Sequence, residues 1–290
     1  MVRKLMLCVS IFAIAVATPA IAGGQGEEAV PADDGADTAA LERTTEDPRL
    51  YQPGQLTVAT GEPVYPPWML NDDPASGEGF ENGIVYALAE EMGFDAEDVV
   101  WVRQTFDQGI APGPKNYDFA INQYSVTEER REFVGFSNVY YQPRKAALAL
   151  PDSAIADAES FADLRDADWG ATIGTTDLDY LENTVGAEGV DVFDDQVGTF
   201  QALLGGQIDA TVISLPTALY VTAVQVPEAS IVAILPADEN DLGHGLVFEK
   251  GDSLVPWVND ALEAVIADGV VDRLADEYLV GDDSIPEITE

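Results

Sequence analysis

Cysteine is almost absent from this chain: the one cysteine, Cys8, lies in an N-terminal apolar run. Beyond that run a disulfide framework, a thiolate metal site and a cysteine nucleophile are all excluded. Lysine is nearly as scarce, with Lys115, Lys145 and Lys250 the only ones after Lys4, and His244 is the single histidine. No Ser-His-Asp set, HExxH pair, phosphate-binding loop or GxGxxG sequence is apparent, so hydrolase and nucleotide chemistry have no support. Basic charge is short overall, 13 Lys and Arg against 53 Asp and Glu, for a net charge of −40. That balance disfavours nucleic acid and anionic membrane surfaces as partners. It resembles the balance of proteins adapted to high salt, where screening over roughly 3 Å at 1 M relieves self-repulsion. After the N-terminal run no stretch approaches the length of an apolar membrane span.

What is present begins with Arg3 and Lys4 ahead of an apolar run over residues 5–17, too short to cross a bilayer as a helix. Small residues at Ala20 and Ala22 then fit an A-x-A cleavage site before Gly23, so residues 1–22 read as a secretory signal peptide. Cys8 is inside the run and not at the cleavage point, so no lipid anchor is expected. The destination is periplasmic or extracellular. Loss of the leader removes two basic residues and leaves 11 against 53, a net charge of −42 on 268 residues. A chain of that size suggests two domains.

Residues 23–50 are rich in Ala, Gly, Asp and Glu without helical or strand period, and read as a disordered acidic linker. From Leu56 onward β-like runs (56–60, 99–102, 118–126) alternate with helical periods such as Ile84, Val85, Leu88, Ala89 and Met92, closed by Gly93. A second series follows at 146–150, 170–173, 210–213 and 231–235. Alternation of this kind signals an α/β fold with largely parallel sheets. The chain ends in an amphipathic stretch with Ser253 as a candidate N-cap, Pro256 in its first turn, and an interruption at Gly269.

Four segments in this order carry a resemblance. The first is Gly61-Glu62-Pro63-Val64-Tyr65-Pro66-Pro67-Trp68, followed by Gly79-Phe80-Glu81. The second runs from Tyr117-Asp118-Phe119-Ala120-Ile121-Asn122-Gln123-Tyr124-Ser125-Val126-Thr127 to Arg130, and the third is Gly170-Ala171-Thr172-Ile173-Gly174-Thr175-Thr176. The fourth joins Gln207-Ile208-Asp209-Ala210, Leu215-Pro216-Thr217 and Gly245-Leu246-Val247-Phe248. Together they resemble the family 3 solute-binding proteins that serve polar amino acid importers. The resemblance implies a periplasmic binding protein-like II fold, two α/β lobes joined by a two-strand hinge with the ligand cleft between them. Lobe 1 would comprise residues 51–144 and 239–290, and lobe 2 residues 145–238, with crossings near 144–150 and 235–242. It further implies a small-molecule ligand such as an amino acid, ABC transporter permease subunits as partners, a monomeric state, no cofactor and no catalysis.

A planar guanidinium can grip a ligand carboxylate through two parallel charge-assisted hydrogen bonds, and Arg130 is the candidate. The resemblance places Asn122, Gln123, Ser125, Thr175 and Thr176 beside it, Thr176 offering a backbone donor where a strand gives way to a helix. Tyr65, Trp68 and Phe106 would wall the ligand, and Glu62 and Glu81 fall where the family has cleft acids. One position departs: where the family has an aspartate for the ligand's α-ammonium this chain has Ser214, which costs about 1 to 2 kcal/mol if nothing compensates. Either Glu62 takes the ammonium, or the ligand is not an ordinary α-amino acid. Two rival readings stand beside a binding protein: a cyclohexadienyl dehydratase on the same fold, with His244 or Glu62 as general acid, and a ligand-sensing module. As a structural residue, His244 would be a partly exposed hinge position.

Overall fold

The computed structural model describes residues 43–279, 281 and 284–289. The expected signal peptide and most of the expected linker lie outside them. The described chain forms two five-stranded sheets. In lobe 1, β1 (Leu56–Gly61), α1 (Phe80–Glu91), β2 (Val99–Gln104), α2 (Phe106–Ile110), β3 (Phe119–Ala120), α3 (Glu128–Arg131) and β4 (Gly135–Tyr141) come first. Lobe 2 holds β5 (Lys145–Ala149), α4 (Phe161–Leu164), β6 (Trp169–Thr172), α5 (Thr176–Tyr180), β7 (Asp191–Phe193), α6 (Gln196–Leu204), β8 (Ala210–Ser214), α7 (Leu215–Tyr220) and β9 (Ser230–Leu235). The chain returns to lobe 1 as β10 (His244–Phe248), α8 (Val255–Ala267) and α9 (Val270–Tyr278).

Strand order is β2-β1-β3-β10-β4 in one sheet and β7-β6-β8-β5-β9 in the other. The sheets are mixed, not largely parallel: β10 runs antiparallel to β3 and β4, and β5 antiparallel to β8 and β9. The crossings are the cause, since β10 and β5 are the strands that enter each lobe from the hinge and must run against those that lead out to it. The first crossing is residues 142–144, earlier and shorter than expected, because 145–149 is already a central strand of lobe 2. The second spans 236–243. Only Phe119 and Ala120 of the β-like run over 118–126 pair as a strand, and the rest is the loop that carries Gln123, Ser125 and Thr127.

Each sheet is covered by helices over an apolar core. In lobe 1, Ile84, Val85 and Leu88 of α1 and Val258, Leu262 and Val265 of α8 close on Leu56, Val58, Phe119 and Phe248. Burial of such side chains contributes about 1.5 to 3 kcal/mol each. Helix α8 starts after Leu254, with no side-chain cap, so Ser253 is not its N-cap.

Both chain ends depart from the expected boundaries. Residues 43–50, read as linker, fold against lobe 1: Leu50 joins the core, Asp47 is buried and paired with Arg49 at 2.6 Å, and Arg43 pairs with Asp260. Residues 285–288, assigned by the sequence to lobe 1, instead lie along β9 of lobe 2. There the Ile234 N–H donates to Pro286 O (2.8 Å), the Ile288 N–H donates to Ile234 O (3.0 Å), and the Ile288 side chain is buried in the lobe 2 core. Glu287 pairs with Arg144 on the first crossing.

Candidate ligand-binding cleft

Between the lobes lies a cavity of about 270 Å³, walled by the ends of β1 and β3, the α2 and α3 turns, the loop before α5, the start of α6 and the end of β8. Ten of the twelve residues named from the sequence line it: Glu62, Tyr65, Phe106, Asn122, Gln123, Ser125, Arg130, Thr175, Thr176 and Ser214. Two do not. Trp68 and Glu81 are fully buried one layer behind the wall. The Trp68 indole donates to Thr217 Oγ1 across the lobes at 2.8 Å, while Glu81 accepts from Tyr140 and from Gln123. Trp68 is drawn in by its packing on Phe80, Tyr141 and His244, and Glu81 is placed by Gly79. It sits at φ +119°, and a Cβ there would meet the Trp68 carbonyl oxygen at 2.5 Å. That tight turn tucks Phe80 and Glu81 under the loop and not into the cleft.

Arg130 is presented by the short helix α3, whose N-cap Thr127 accepts from the Arg130 N–H at 3.1 Å. Its guanidinium donates to Ser125 O (2.7 Å) in lobe 1 and to Gly174 O (2.8 Å) in lobe 2, and lies 5.5 Å from the centre of the Phe106 ring. Among the described residues no carboxylate reaches it; Glu128 pairs with Arg131. Burial lowers the Arg130 pKa, with Asp241 and Asp179 acting against that shift. An arginine held by two neutral carbonyls, without a counter-ion, is open to an anion.

The hydroxyls expected to meet that anion are largely committed elsewhere. Thr175 caps α5, accepting from the Leu178 N–H and donating to Thr172 O. Ser125 donates to Asp241 (2.7 Å), and so does Thr176 (3.0 Å). What remains for an anion is the first backbone N–H groups of α5, which have no partner inside the helix.

Asp241, on the second crossing, was not singled out from the sequence, nor was Lys145. The Lys145 ammonium donates to Asp177 at 2.7 Å and Thr176 at 3.1 Å and stands 3.6 Å from Asp241. Burial opposes its charge, but Asp177 and Asp241 outweigh that and raise its pKa, while Lys145 and Ser125 keep Asp241 below the ordinary carboxylate range against its own burial. Lobe 1 (Ser125), hinge (Asp241) and lobe 2 (Thr176, Lys145) are thus tied into one hydrogen-bonded network across the cleft. A signal did exist: Lys145 is a single charge in an otherwise apolar strand of a chain with few lysines.

His244 also lines the cavity, 3% exposed and so buried, not a partly exposed hinge residue. It packs against Trp68, Tyr140 and Tyr141. Burial pushes its pKa down to about 3, with Asp241 opposing and Lys145 and Arg130 reinforcing. A neutral imidazole is a poor general acid near pH 7. Glu62, Asp107, Asp194 and Asp195 complete the wall and pair with no basic side chain among the described residues. With Asp177 and Asp241 they set six carboxylates against Arg130 and Lys145. Among the described residues no group of three His, Cys, Asp or Glu side chains is placed to hold a metal ion. No helix there is long and apolar enough to cross a membrane.

Residues 56–281 match the family model described as bacterial extracellular solute-binding proteins, family 3. The chain belongs to this family. Relatives of the family 3 chain include the L-arginine-binding protein of Pseudomonas aeruginosa, 29% identical over 75% of this chain and 85% of that protein. The L-cystine-binding protein of Escherichia coli is 27% identical over 81% of this chain and 86% of its own length. Among solved structures, an ancestral arginine-binding protein bound to arginine superposes with a TM-score of 0.65 at 28% identity, covering 78% of this chain and 99% of that one. An ancestral amino acid-binding protein described as a precursor of cyclohexadienyl dehydratase reaches 0.64 at 27% identity, covering 78% and 96%. The family 3 relatives are amino acid-binding proteins, and the two-lobed α/β fold is theirs.

Proposed function

We propose that this protein is the extracytoplasmic substrate-binding component of an ABC importer, exported by a cleavable leader. In this reading it captures a cationic amino acid, or a similar small polar solute with a carboxylate and a positive charge, and delivers it to the membrane permease. The observation that carries this reading is the charge of the cleft. Arg130 stands without a counter-ion for a carboxylate, while Glu62, Asp107 and Asp194, with Asp195 at the N-cap of α6, pair with no basic side chain among the described residues and face a cation. Asp177 and Asp241 are occupied by Lys145, which leaves the wall acids to hold a ligand's ammonium in place of an aspartate at Ser214. The arginine-binding relatives support the same ligand class.

Calorimetric titration of the purified protein with L-arginine, L-cystine, L-glutamine and L-glutamate tests it. Binding should favour the cationic member and reject glutamate, and small-angle scattering with saturating L-arginine should show a smaller radius of gyration as the hinge closes. Preference for glutamate, or an unchanged radius on binding, overturns the reading. The enzymatic alternative is tested by incubation with prephenate and arogenate, where release of phenylpyruvate from the first or of phenylalanine from the second would establish turnover. A buried, uncharged His244 argues against it.

A further inference from the structure

We propose that Glu81 is a positioning residue for the cleft: from behind the wall it fixes the side-chain amide of Gln123 so that the carbonyl oxygen meets the ligand, making Gln123 an acceptor selective for a donor group. This rests on the cleft being a binding site for a small polar solute.

The geometry is a chain of committed donors. Gln123 has a left-handed backbone, φ +48°, unusual for a residue with a side chain. Its backbone N–H donates to Glu81 Oε1 at 2.7 Å, and its side-chain Nε2 donates to Glu81 Oε2 at 2.6 Å and to Asn122 Oδ1 at 3.4 Å. Tyr140 donates to the same carboxylate. Both Nε2 hydrogens are thereby used, and Oε1 is left as the polar atom that Gln123, a cavity-lining residue, has to offer. An ionised carboxylate only accepts, so it enforces this orientation; a protonated one donates one bond, to the Tyr140 hydroxyl or to Gln123, and when Gln123 receives it the amide turns. The atom offered to the ligand then changes from acceptor to donor.

The surroundings make that exchange accessible. Glu81 is fully buried, and the groups facing it are Tyr140 of β4 and Gln123 and Tyr124 of the loop after β3, with no basic side chain among the described residues. Burial raises its pKa to about 7, against the pull of Tyr140 and Gln123. Above that value Gln123 accepts from a ligand's ammonium or guanidinium, and below it Gln123 repels the same group.

The test uses the whole protein with L-arginine as the probe, titrated at about pH 8 and about pH 5.5, on either side of the Glu81 pKa. Exchange of an acceptor for a donor against a cation should weaken binding about tenfold at the acid pH. In Glu81→Gln, whose amide mimics the protonated acid, affinity should be low at both pH values and should lose its pH dependence. A second readout needs no ligand: the Gln123 backbone and side-chain amide resonances of the wild type should titrate with a midpoint near neutrality. Arginine affinity equal at both pH values, or Gln123 resonances that do not move, overturns the proposal even if Glu81→Gln fails to fold. Absence of arginine binding with Gln123 resonances that titrate would instead discard the cationic amino acid as ligand and leave the positioning role standing.

Discussion

Arg130 is a single side chain that joins three things: a turn of lobe 1, the Gly174 carbonyl of lobe 2, and an open valence for an anion. Arg130→Ala should cost about 3 to 5 kcal/mol of ligand affinity, because the ligand carboxylate is left desolvated without its partner. Arg130→Lys should recover only part, since a point charge cannot reproduce the planar fork. Calorimetry on the two variants, with melting curves as a folding control, checks this; binding within about threefold of wild type would make Arg130 a cation of no consequence to the site. Lys145 calls for a different measurement, because it is buried and pairs within the protein. Lys145→Met leaves Asp177 and Asp241 facing each other unpaired and should lower stability by about 3 kcal/mol in urea unfolding. Adding Asp177→Asn should restore part of the loss, which simple loss of packing would not allow. Arg130 was legible from the sequence because its type and its place after a Ser-x-Thr turn define its chemistry. Lys145 and Asp241 were not, because they converge only when both crossings close, and His244 was read as a partly exposed hinge residue where it is buried against the cleft. Trp68 and Glu81 were read into the right loops but at the wrong depth, since a motif names a loop and not which of its residues turns inward.

Elements were the most legible level. Periodicity placed α1, the β2 region, four of the five lobe 2 strands and the α8–α9 break at Gly269, because each has a buried face whose spacing the sequence must encode, whereas β7 is short and largely exposed. Strand direction was missed, as it depends on which strands enter from the hinge and not on residue type. The C-terminal segment was missed as well: Ile285-Pro286-Glu287-Ile288 is too short to carry a period, and only the edge of β9 gives its apolar residues somewhere to go. The segment lies beyond residue 281, where the family match ends. By covering an edge strand beside the hinge it also removes an open ladder from solvent. Truncation after residue 283 exposes the site of Ile288 and frees two backbone bonds at Ile234, a loss of about 2 to 4 kcal/mol. The melting temperature should fall by roughly 5 to 10 °C. Ile288→Asp should reproduce most of the fall in the full-length chain, and an unchanged melting curve in both would make the segment a passive tail.

Across the whole molecule charge dominates, with 53 acidic residues against 13 basic ones. Most of the ion pairs among the described residues are solvent-exposed and contribute about 0 to 1 kcal/mol each, too little to offset a repulsion spread over the entire surface. Screening shortens the reach of that repulsion from roughly 10 Å at 0.1 M to roughly 3 Å at 1 M salt. The folded chain packs the charges closer together than the unfolded one, so stability should rise with ionic strength. The cleft should respond in the opposite sense. Its wall acids, which pair with no basic side chain among the described residues, attract a cationic ligand through the same field, so salt that steadies the fold should slow association and weaken binding. Melting temperature and L-arginine affinity, measured on one preparation from low salt to about 1 M NaCl, should therefore move in opposite directions, with the association rate carrying most of the change in affinity. A flat or falling melting temperature would remove the argument from surface repulsion. A rising melting temperature with salt-independent binding would keep that argument and show that the wall acids do not face the ligand's charge.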